Sequence, residues 1–281
     1  MAAFDLHLHT NASDGLLPPE QVVQAAAQAG LIAVAITDHD TAAGVERARA
    51  EGRRLGLPVI AGVELSAEAE SPMHILGLGV DIDSPAYQAF VEEQKTRRRQ
   101  RNEEMLRRMA DQGLTLPEDC LPQGVPGEYG RKHMALGLVK SGRAADVNDA
   151  FRRYLGRGCP CYVKRRKFSS CELIAAVNAS GGQAVLAHPG RMGLDDNRLE
   201  QLLACLAAEG LAGVEAFYSL HTAEQAEAYR AMADNLGLVC SYGSDWHGFG
   251  EPTLAMGFDR FCIPERTLQW LNDLIRSGGY E

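Results

Sequence analysis

Residues Phe4-Asp5-Leu6-His7-Leu8-His9-Thr10 alternate apolar and polar side chains, the pattern of a half-buried β-strand. Because His7 and His9 are two positions apart, they point to the same side of that strand. Pro18 and Pro19 then begin a predicted helix that runs to residue 29. An apolar strand over residues 31–37 follows. The chain therefore opens as a strand-helix-strand unit with histidines at the end of its first strand.

The same alternation continues along most of the chain and predicts an α/β fold with parallel strands and outer helices. The further predicted strands cover residues 59–65, 74–80, 184–187, 214–217 and 238–242. The further predicted helices cover residues 41–55, 169–180, 195–209 and 221–236.

Six of the eight histidines lie in short clusters with acidic residues, and most clusters follow directly on a predicted strand. In βα barrels the carboxyl ends of the strands form the face that carries the active site. Histidine and carboxylate together are metal-ligand chemistry. This pattern predicts a barrel with nine candidate ligands, namely His7, His9, Asp14, His39, Glu64, His74, His188, Asp245 and His247.

Nine ligands are too many for one ion but suit two or three ions, with Glu64 or Asp245 bridging. Mixed imidazole and carboxylate donors favour Mn, Fe or Zn over Mg or Ca, which prefer oxygen alone. We expect two or three divalent ions, with Mn²⁺ as the expected metal and Fe²⁺ or Zn²⁺ as alternatives. Two adjacent ions can hold a bridging hydroxide for attack on a phosphoryl group.

The motifs resemble those of the PHP (polymerase and histidinol phosphatase) family within the amidohydrolase superfamily. The similarity lies in four blocks, together with Glu64 and His74, where the family also has ligands. The blocks are Asp5-Leu6-His7-Leu8-His9-Thr10, Thr37-Asp38-His39-Asp40, Ala187-His188-Pro189 and Ser244-Asp245-Trp246-His247. The resemblance implies a distorted TIM-like barrel of about seven βα units that acts as a phosphoesterase.

Some polar residues near these motifs have simpler interpretations. A lone histidine such as His74 can be a core residue whose hydrogen bonds are satisfied. Asp40 could cap a helix that begins at Thr41. Asp38 is expected to point away from the site as a supporting group, and His221 to cap or pack a helix.

Residues 83–165 interrupt the alternation and predict an inserted helical subdomain, with the barrel formed by residues 1–82 and 166–281. Its predicted helices cover residues 86–112, 132–141 and 146–155. Residues 82–167 hold 18 of the 28 Lys and Arg but only 11 of the 37 Asp and Glu. This stretch has a formal charge of +7, against −16 for the rest of the chain. A basic insert beside an acidic body suggests a surface that binds anions.

Three basic patches lie in or beside this insert, at residues 95–101, 131–133 and 164–167. A solvated charged face is the alternative for any one of them. The insert begins just after His74, so we expect it to cover the metal face. The family resemblance is nearest to the branch that hydrolyses nucleoside 3′,5′-bisphosphates, which removes the 3′-phosphate and retains the 5′-phosphate. The candidate substrate-binding residues are Arg99, Gln100, Arg101, Asn102, Lys132, His133, Met134, Lys164 and Lys167. The resemblance implies that the first seven of these lie near the retained phosphate and the sugar.

The predicted function is a metal-dependent phosphatase that removes the 3′-phosphate of such a bisphosphate through a metal-bridging hydroxide. His39, Asp245 and His247 are the candidate catalytic residues. The alternatives are a 5′-3′ exoribonuclease on short 5′-phosphorylated RNA, a histidinol-phosphate-type monophosphatase, and an inactive module that binds RNA or a partner. The expected partners are a nucleotide bisphosphate or short RNA, but not double-stranded DNA.

The composition limits the cellular setting. Seven scattered cysteines, an odd number, argue against a disulfide framework and for a reducing cytoplasm, with the thiols as small core residues. No apolar run approaches the ~20 residues that span a bilayer. The amino terminus shows no signal-peptide pattern.

Overall fold

The computed structural model describes residues 4–69, 71–117, 130–248, 256–257 and 261–278. The chain divides into two compact units. The barrel unit comprises Met1–Gln88 and Lys167–Glu281, and the inserted unit comprises Ala89–Arg166. Within the described residues, no helix is both long and apolar enough to cross a membrane.

The barrel unit is built on a seven-stranded sheet, counted over the described residues, whose strands neighbour one another in chain order. The sheet nearly closes, because the segment after the last strand bonds the first. Asp245 N–H donates to the His7 carbonyl and His9 N–H to the Trp246 carbonyl, both at 2.9 Å. This confirms the predicted α/β barrel. The strands are β1 Asp5–Leu8, β2 Val34–Ile36, β3 Val59–Ser66, β4 His74–Leu78, β5 Gln183–Leu186, β6 Gly213–Tyr218 and β7 Val239–Gly243.

One strand departs from the predicted parallel arrangement. β4 is antiparallel to both β3 and β5, whereas the other neighbours are parallel. Residues 67–73 alone join β3 to β4, which is too short for the crossover that parallel neighbours need. The reversal pairs His74, the first residue of β4, with Ser66, the last of β3. His74 therefore lies at the same edge as the carboxyl ends of the parallel strands.

The helices match the predicted segments with small shifts at their ends. The largest shift is in the second helix, which begins at Val45 rather than Thr41 and ends at Gly56, whose φ is +70°. Ser169 and Thr222 begin two helices by accepting the N–H of Glu172 and Gln225. The helices are α1 Pro19–Gln28, α2 Val45–Leu55, α3 Pro85–Asp111, α4 Arg131–Lys140, α5 Val147–Ala150, α6 Ser170–Ala179, α7 Asp196–Ala208, α8 Ala223–Leu236 and α9 Glu265–Ser277.

The first strand is buried on both faces, whereas its sequence pattern predicts a half-buried strand. Leu6 and Leu8 are fully buried in the apolar core, and His7 and His9 on the other face are also fully buried. Burying one such leucine contributes about 1.5–3 kcal/mol relative to leaving it exposed. The polar face of β1 therefore points into an interior polar cluster and away from solvent.

The inserted unit has its own hydrophobic core. Met105 and Met109 of α3 are fully buried in it, as are Met134 and Leu138 of α4. The predicted helix over residues 146–155 is α5, which Asp146 caps, followed by a π-helical turn over Phe151–Leu155. This unit is therefore a helical body with an apolar interior and basic side chains outside it.

The prediction that the cysteines are core residues is correct for only part of the set. Cys161 and Cys240 are buried, but Cys171, Cys205 and Cys262 are exposed. All six cysteines in the described residues carry free thiols, and Cys120 lies outside them. The exposed thiols Cys171 and Cys205 lie on solvent-facing positions of α6 and α7, where burial is not needed.

Candidate metal centre

Glu64 lies at the centre of the predicted ligand set. It is fully buried on β3, and each of its two carboxylate oxygens faces histidine nitrogens. Oε2 lies 3.3 Å from His7 Nε2, 3.2 Å from His9 Nε2 and 3.0 Å from His39 Nδ1. Oε1 lies 2.6 Å from His74 Nδ1 and 3.0 Å from His188 Nε2. One carboxylate thus contacts five histidines from four different segments of the barrel unit.

Asp245 supplies a second buried carboxylate to the same cluster. Its Oδ1 lies 3.4 Å from His7 Nε2, 3.1 Å from His9 Nε2 and 3.7 Å from His247 Nδ1. The strand geometry of β7 does not continue to His247, because β7 ends at Gly243 and Asp245 has a φ of +59°. A non-glycine residue in this conformation is uncommon. The turn, and not an extended strand, aims Asp245 and His247 at the cluster.

Asp14 lies at the exposed edge of the cluster, with 55% of its side chain accessible to solvent. Its carboxylate oxygens lie 3.6 Å from His9 Nδ1, 3.7 Å from His39 Nε2 and 3.4 Å from His247 Nε2. The structure thus places all nine predicted ligands together in the barrel unit.

Eight of the nine residues, all except His188, offer donor atoms that form three overlapping groups, and within a group these atoms lie within 4.8 Å of one another. His9, His39 and Glu64 each belong to two groups, so the groups adjoin. The groups are His9, Asp14, His39 and His247; His7, His9, Glu64 and Asp245; and His39, Glu64 and His74.

Several buried donor atoms in these groups make no hydrogen bond with the described residues. They are His7 Nε2, both ring nitrogens of His9, His39 Nδ1 and Glu64 Oε2. Buried polar atoms are rarely left without a partner, because each costs about 1–3 kcal/mol. These atoms approach one another without hydrogen-bond geometry, which is how donors are arranged around a shared cation. The residues therefore fit divalent metal ions.

The pKa shifts in the metal-free cluster also fit a site for divalent metal ions. Burial alone would lower the pKa of His7, but Glu215, Glu64 and Asp245 raise it well above its usual value. Burial also opposes the charge on His9, yet the nearby carboxylates of Asp245 and Glu64 raise its pKa to about 9. Burial would raise the pKa of Glu64, but the neighbouring histidines hold it well below its usual range. Without metal, protons on the histidines balance the buried carboxylates.

Asp38 and Asp5 hold the loops around the cluster through hydrogen bonds, and Asp38 is thus a supporting group, as predicted. The Asp38 carboxylate accepts the Thr10 N–H at 2.8 Å, the Thr10 hydroxyl at 2.7 Å and the Ser13 hydroxyl at 2.6 Å. Asp5 accepts the N–H groups of His7 and Ser244 and so connects β1 to the Asp245 turn. Asp38 fixes the loop that carries Asp14.

Two residues outside the ligand set have roles that the structure decides. Asp40 does not cap α2, because that helix begins at Val45 after Gly44; its carboxylate accepts the Ser66 N–H at 3.2 Å instead. His221 is buried, with Nδ1 2.9 Å from the Ala216 carbonyl and Nε2 accepting the Gly190 N–H at 3.2 Å. His221 is therefore a packed side chain that supports the turn after His188.

Sequence analysis missed three residues of the centre. Glu215 on β6 is fully buried, with its carboxylate against His7 and the His188 backbone. Arg191 Nη1 and the Tyr218 hydroxyl both approach Asp245 Oδ2, at 2.9 and 3.3 Å. An acidic residue within the apolar strand Gly213–Tyr218 is a signal that could have identified Glu215.

The predicted substrate-binding residues have different environments. In the inserted unit Gln100, Lys132 and Lys164 are exposed, whereas Arg99 and Arg101 are half-buried and Asn102 is buried. His133 Nδ1 accepts the Gly130 N–H at 3.1 Å at the start of α4, which is a capping contact. Lys167 belongs to the barrel unit, where its N–H donates to Glu68 at 3.4 Å.

Met134 does not present its side chain as a substrate contact. It is fully buried among the apolar side chains of the inserted unit. An apolar residue on the inner face of α4 stabilises the unit more by packing than by facing a charged ligand. Its assignment as a substrate-binding residue stays a prediction, which the buried side chain does not favour.

Arginine side chains crowd together in the inserted unit. Burial lowers the pKa of Arg101 to about 10, with further lowering by the charges of Arg131, Arg165 and Arg98. Arg131 also lies over the rings of Phe151 and Tyr162, 5.5 and 5.6 Å from their centres. Like charges at such proximity favour an anion between them. This arginine cluster (Arg98, Arg101, Arg131 and Arg165) is a candidate anion site.

Comparison with known proteins agrees with this geometry. The chain is 34% identical over 257 residues to a 3′,5′-nucleoside bisphosphate phosphatase of Chromobacterium violaceum, covering 89% of each protein. It is 38% identical over 250 residues to the 5′-3′ exoribonuclease Rnm of Escherichia coli, covering 87% of this chain and 85% of that protein.

A solved structure shares the fold. An amidohydrolase of Chromobacterium violaceum, determined with bound sulfate and no metal, superposes with a TM-score of 0.71 at 32% identity. The match covers 98% of this chain and 97% of that one. A sequence model of the PHP domain matches residues 5–155. With its barrel, its histidine and carboxylate cluster and these relatives, the chain belongs to the PHP domain family.

Proposed function

We propose that this protein is a metal-dependent phosphatase that converts nucleoside 3′,5′-bisphosphates to nucleoside 5′-monophosphates and inorganic phosphate. The observation that carries the proposal is the buried cluster around Glu64 and Asp245, in which ring nitrogens of His7, His9 and His39 converge without hydrogen bonds to the described residues. The family and the named activities of the relatives support phosphoester hydrolysis.

The nine residues predicted as ligands would hold two or three divalent ions, with Mn²⁺ as the expected metal and Fe²⁺ or Zn²⁺ as alternatives. When bound, such ions lower the pKa of water and neutralise the negative charge that develops on a phosphoryl group. Glu64 is the natural shared ligand, because its two oxygens face different histidines. The odd number of cysteines favours a reducing cytoplasm as the working compartment.

Two of the three candidate catalytic residues lie at the part of the cluster that solvent reaches, and Asp245 is buried behind them. The side chains of His39 and His247 are 28% and 19% exposed, whereas His7 and His9 are fully buried. A phosphate arriving from solvent would therefore meet His39 and His247 first. We assign these two histidines to contact with the reacting phosphate, and Asp245 to the orientation of the attacking water. A ring nitrogen of either histidine that holds no ion would transfer the proton to the leaving oxygen.

The second phosphate of the substrate distinguishes this proposal from a monophosphatase. The reacting phosphate needs only the metal centre of the barrel unit. The inserted unit carries the arginine cluster, in which the pKa of Arg101 is lowered by burial and by three neighbouring arginines. Arginine binds phosphate well, because its planar guanidinium donates two parallel hydrogen bonds. We propose that this unit binds the phosphate that is retained.

The test is phosphate release by the Mn²⁺-loaded protein from four substrates with identification of the products. The substrates are adenosine 3′,5′-bisphosphate, 3′-AMP, 5′-AMP and a short 5′-phosphorylated RNA. We expect the bisphosphate to be turned over fastest and to yield 5′-AMP. Equal rates on 3′-AMP would contradict the role of the second phosphate.

Short RNA is the second candidate substrate, because the Escherichia coli exoribonuclease is similar over nearly the whole chain. Hydrolysis of either substrate breaks a bond from phosphorus to a ribose 3′-oxygen. Faster release of nucleotides from RNA than of phosphate from the bisphosphate would assign the chain as an exoribonuclease. A protein that binds Mn²⁺ but turns over none of the four substrates would refute both assignments.

A further inference from the structure

Glu215 lies on β6, next to the cluster but outside the predicted ligand set. Its side chain is fully buried, and both carboxylate oxygens are engaged. Oε1 lies 3.0 Å from His7 Nδ1, and Oε2 accepts the backbone N–H of His188 at 2.7 Å. One carboxylate thus contacts histidines from the first strand and from the end of the fifth.

The contact with His7 determines which ring nitrogen faces the metal centre. Because a carboxylate only accepts hydrogen bonds, contact with Glu215 Oε1 at 3.0 Å holds a His7 hydrogen on Nδ1. In the neutral ring that can bind a metal ion, Nε2 is then the nitrogen with the lone pair. It points at Glu64 and Asp245, 3.3 and 3.4 Å away, and makes no hydrogen bond with the described residues.

The contact with His188 holds a strained turn. His188 has a φ of +25°, which is unusual for a residue other than glycine. Its ring nitrogen Nε2 lies 3.0 Å from Glu64 Oε1. By binding the N–H of this residue, Glu215 compensates for the strain and keeps the imidazole aimed at Glu64.

The fold leaves space for this carboxylate at one position. A Cβ atom at residue 243, the last of β7, would overlap both Glu215 Oε1 and His7 Cβ. Gly243 therefore allows β1, β6 and β7 to bring a strand histidine and a carboxylate together inside the barrel. An alanine at this position would displace one of the two side chains.

We propose that Glu215 is a positioning residue that fixes His7 with Nε2 toward the metal ions and His188 toward Glu64. This inference rests on the proposed metal-dependent function. Partners that orient metal-ligating histidines typically change metal affinity by about 10–100-fold when they are removed. Glu215 would thus determine metal affinity without binding the ion itself.

The test compares Glu215→Gln with Glu200→Gln, a matched control at an exposed position of α7. A glutamine amide has one oxygen for two donors, so its NH₂ group must face either His7 or His188. If the NH₂ group faces His7, its hydrogen and the hydrogen on His7 Nδ1 repel each other. The His7 hydrogen would then move to Nε2, the nitrogen proposed to bind the metal ion. We expect Mn²⁺ affinity, measured by competition with a chelator, to fall about 10–100-fold in Glu215→Gln and to stay unchanged in Glu200→Gln.

Thermal unfolding of the metal-free variants separates positioning from stability. A purely structural role would lower the unfolding temperature and leave the Mn²⁺ affinity of the folded protein unchanged, which would overturn the proposal. A wild-type protein that binds no divalent ion would overturn the proposed function together with this inference. Tight binding by wild type and equally tight binding by Glu215→Gln would overturn the inference alone.

A second measurement needs no variant. Nitrogen-15 NMR of the histidine rings in the Zn²⁺-loaded wild type reports which nitrogen carries the hydrogen. We expect His7 to keep hydrogen on Nδ1 and to bind metal through Nε2. Coordination through Nδ1 would rule out the proposed role of Glu215.

Discussion

The two units of this chain bring ionisable side chains together in opposite ways. In the barrel unit, buried and half-buried histidines contact the carboxylates of Glu64 and Asp245 at 2.6–3.7 Å. In the inserted unit, Arg101 is surrounded by the like charges of Arg131, Arg165 and Arg98. The first arrangement is completed by added cations, which replace the protons on the histidines. We propose that an added anion completes the second. On this proposal, complementarity to a metal ion and to a phosphate lies in separate parts of the sequence.

The largest effect is expected when one proposed metal ligand of the barrel unit loses its charge. Asp245→Asn keeps the shape of the side chain but removes the negative charge near His7, His9 and His247. Because metal ions contribute several kcal/mol to phosphoryl transfer, we expect turnover to fall at least about a thousandfold.

Asp234→Asn on α8 is the matched control, since Asp234 is an exposed acid that pairs with Arg230. It should retain wild-type turnover. If Asp245→Asn also retains full turnover with Mn²⁺ bound, Asp245 is not a ligand and the assignment of the centre is wrong.

The second prediction concerns the protons that a metal ion displaces from the histidines of the barrel unit. In the metal-free fold the pKa of His9 is about 9, and that of His7 is also raised, so both rings hold protons at pH 7. A metal ion must displace these protons, and affinity therefore rises with pH until the rings are neutral in the free protein. We expect Mn²⁺ affinity to increase about 10–100-fold from pH 7 to pH 8, according to whether one or two protons leave.

Calorimetric titration in two buffers of different ionisation enthalpy would count the protons released. No release at pH 7 would mean that His7 and His9 are already neutral. The anion site of the inserted unit should show no matching trend over this range, because arginine keeps its charge.

The sequence identified the candidate ligands that lie together in the structure, but it did not predict how the strands and turns bring them together. His7, His9, Glu64 and Asp245 could be identified because each follows or ends a strand, and strand ends converge in a barrel. The direction of β4 was missed, although residues 67–73 are too few for a crossover. The contact of Glu215 with His7 joins residues 208 positions apart, so it depends on how β1 and β6 come together in the closed sheet.

The turn conformations were also beyond sequence analysis. Asp40, His188 and Asp245 all have positive φ, although none is a glycine. Local propensity disfavours that conformation, and tertiary contacts such as the Glu215 bond to the His188 N–H impose it. Residues of this kind cannot be identified from spacing alone.

Arg101→Ala tests the proposed anion site of the inserted unit, and its expected effect is smaller. A charge-assisted hydrogen bond contributes about 1.5–3 kcal/mol, so we expect the KM for adenosine 3′,5′-bisphosphate to rise at least about tenfold. The reacting phosphate does not need this residue, so kcat should change little. Steady-state kinetics on the bisphosphate and on 3′-AMP would measure both parameters.

Arg107→Ala provides the control on the same helix. Arg107 is 62% exposed and pairs with Glu104 and Asp111, away from the arginine cluster. Its replacement should leave KM unchanged. An equal rise in KM for both variants would show that general positive charge, and not the cluster, attracts the substrate.

The smallest expected effect concerns what the two units share, which is helix capping. The Thr222 hydroxyl accepts the Gln225 N–H at 3.2 Å at the start of α8, and Asp146 accepts the Asp149 N–H at 2.7 Å at the start of α5. Thr222→Ala and Asp146→Ala should each cost about 1 kcal/mol of unfolding free energy, measured by urea unfolding of the metal-free protein. Neither cap contacts the metal cluster or belongs to the arginine cluster, so Mn²⁺ affinity and kcat should stay at wild-type values. A loss of metal affinity in Thr222→Ala would mean that the barrel scaffold and the metal centre are energetically coupled, and the contrast between the units would then be one of stability as well as charge.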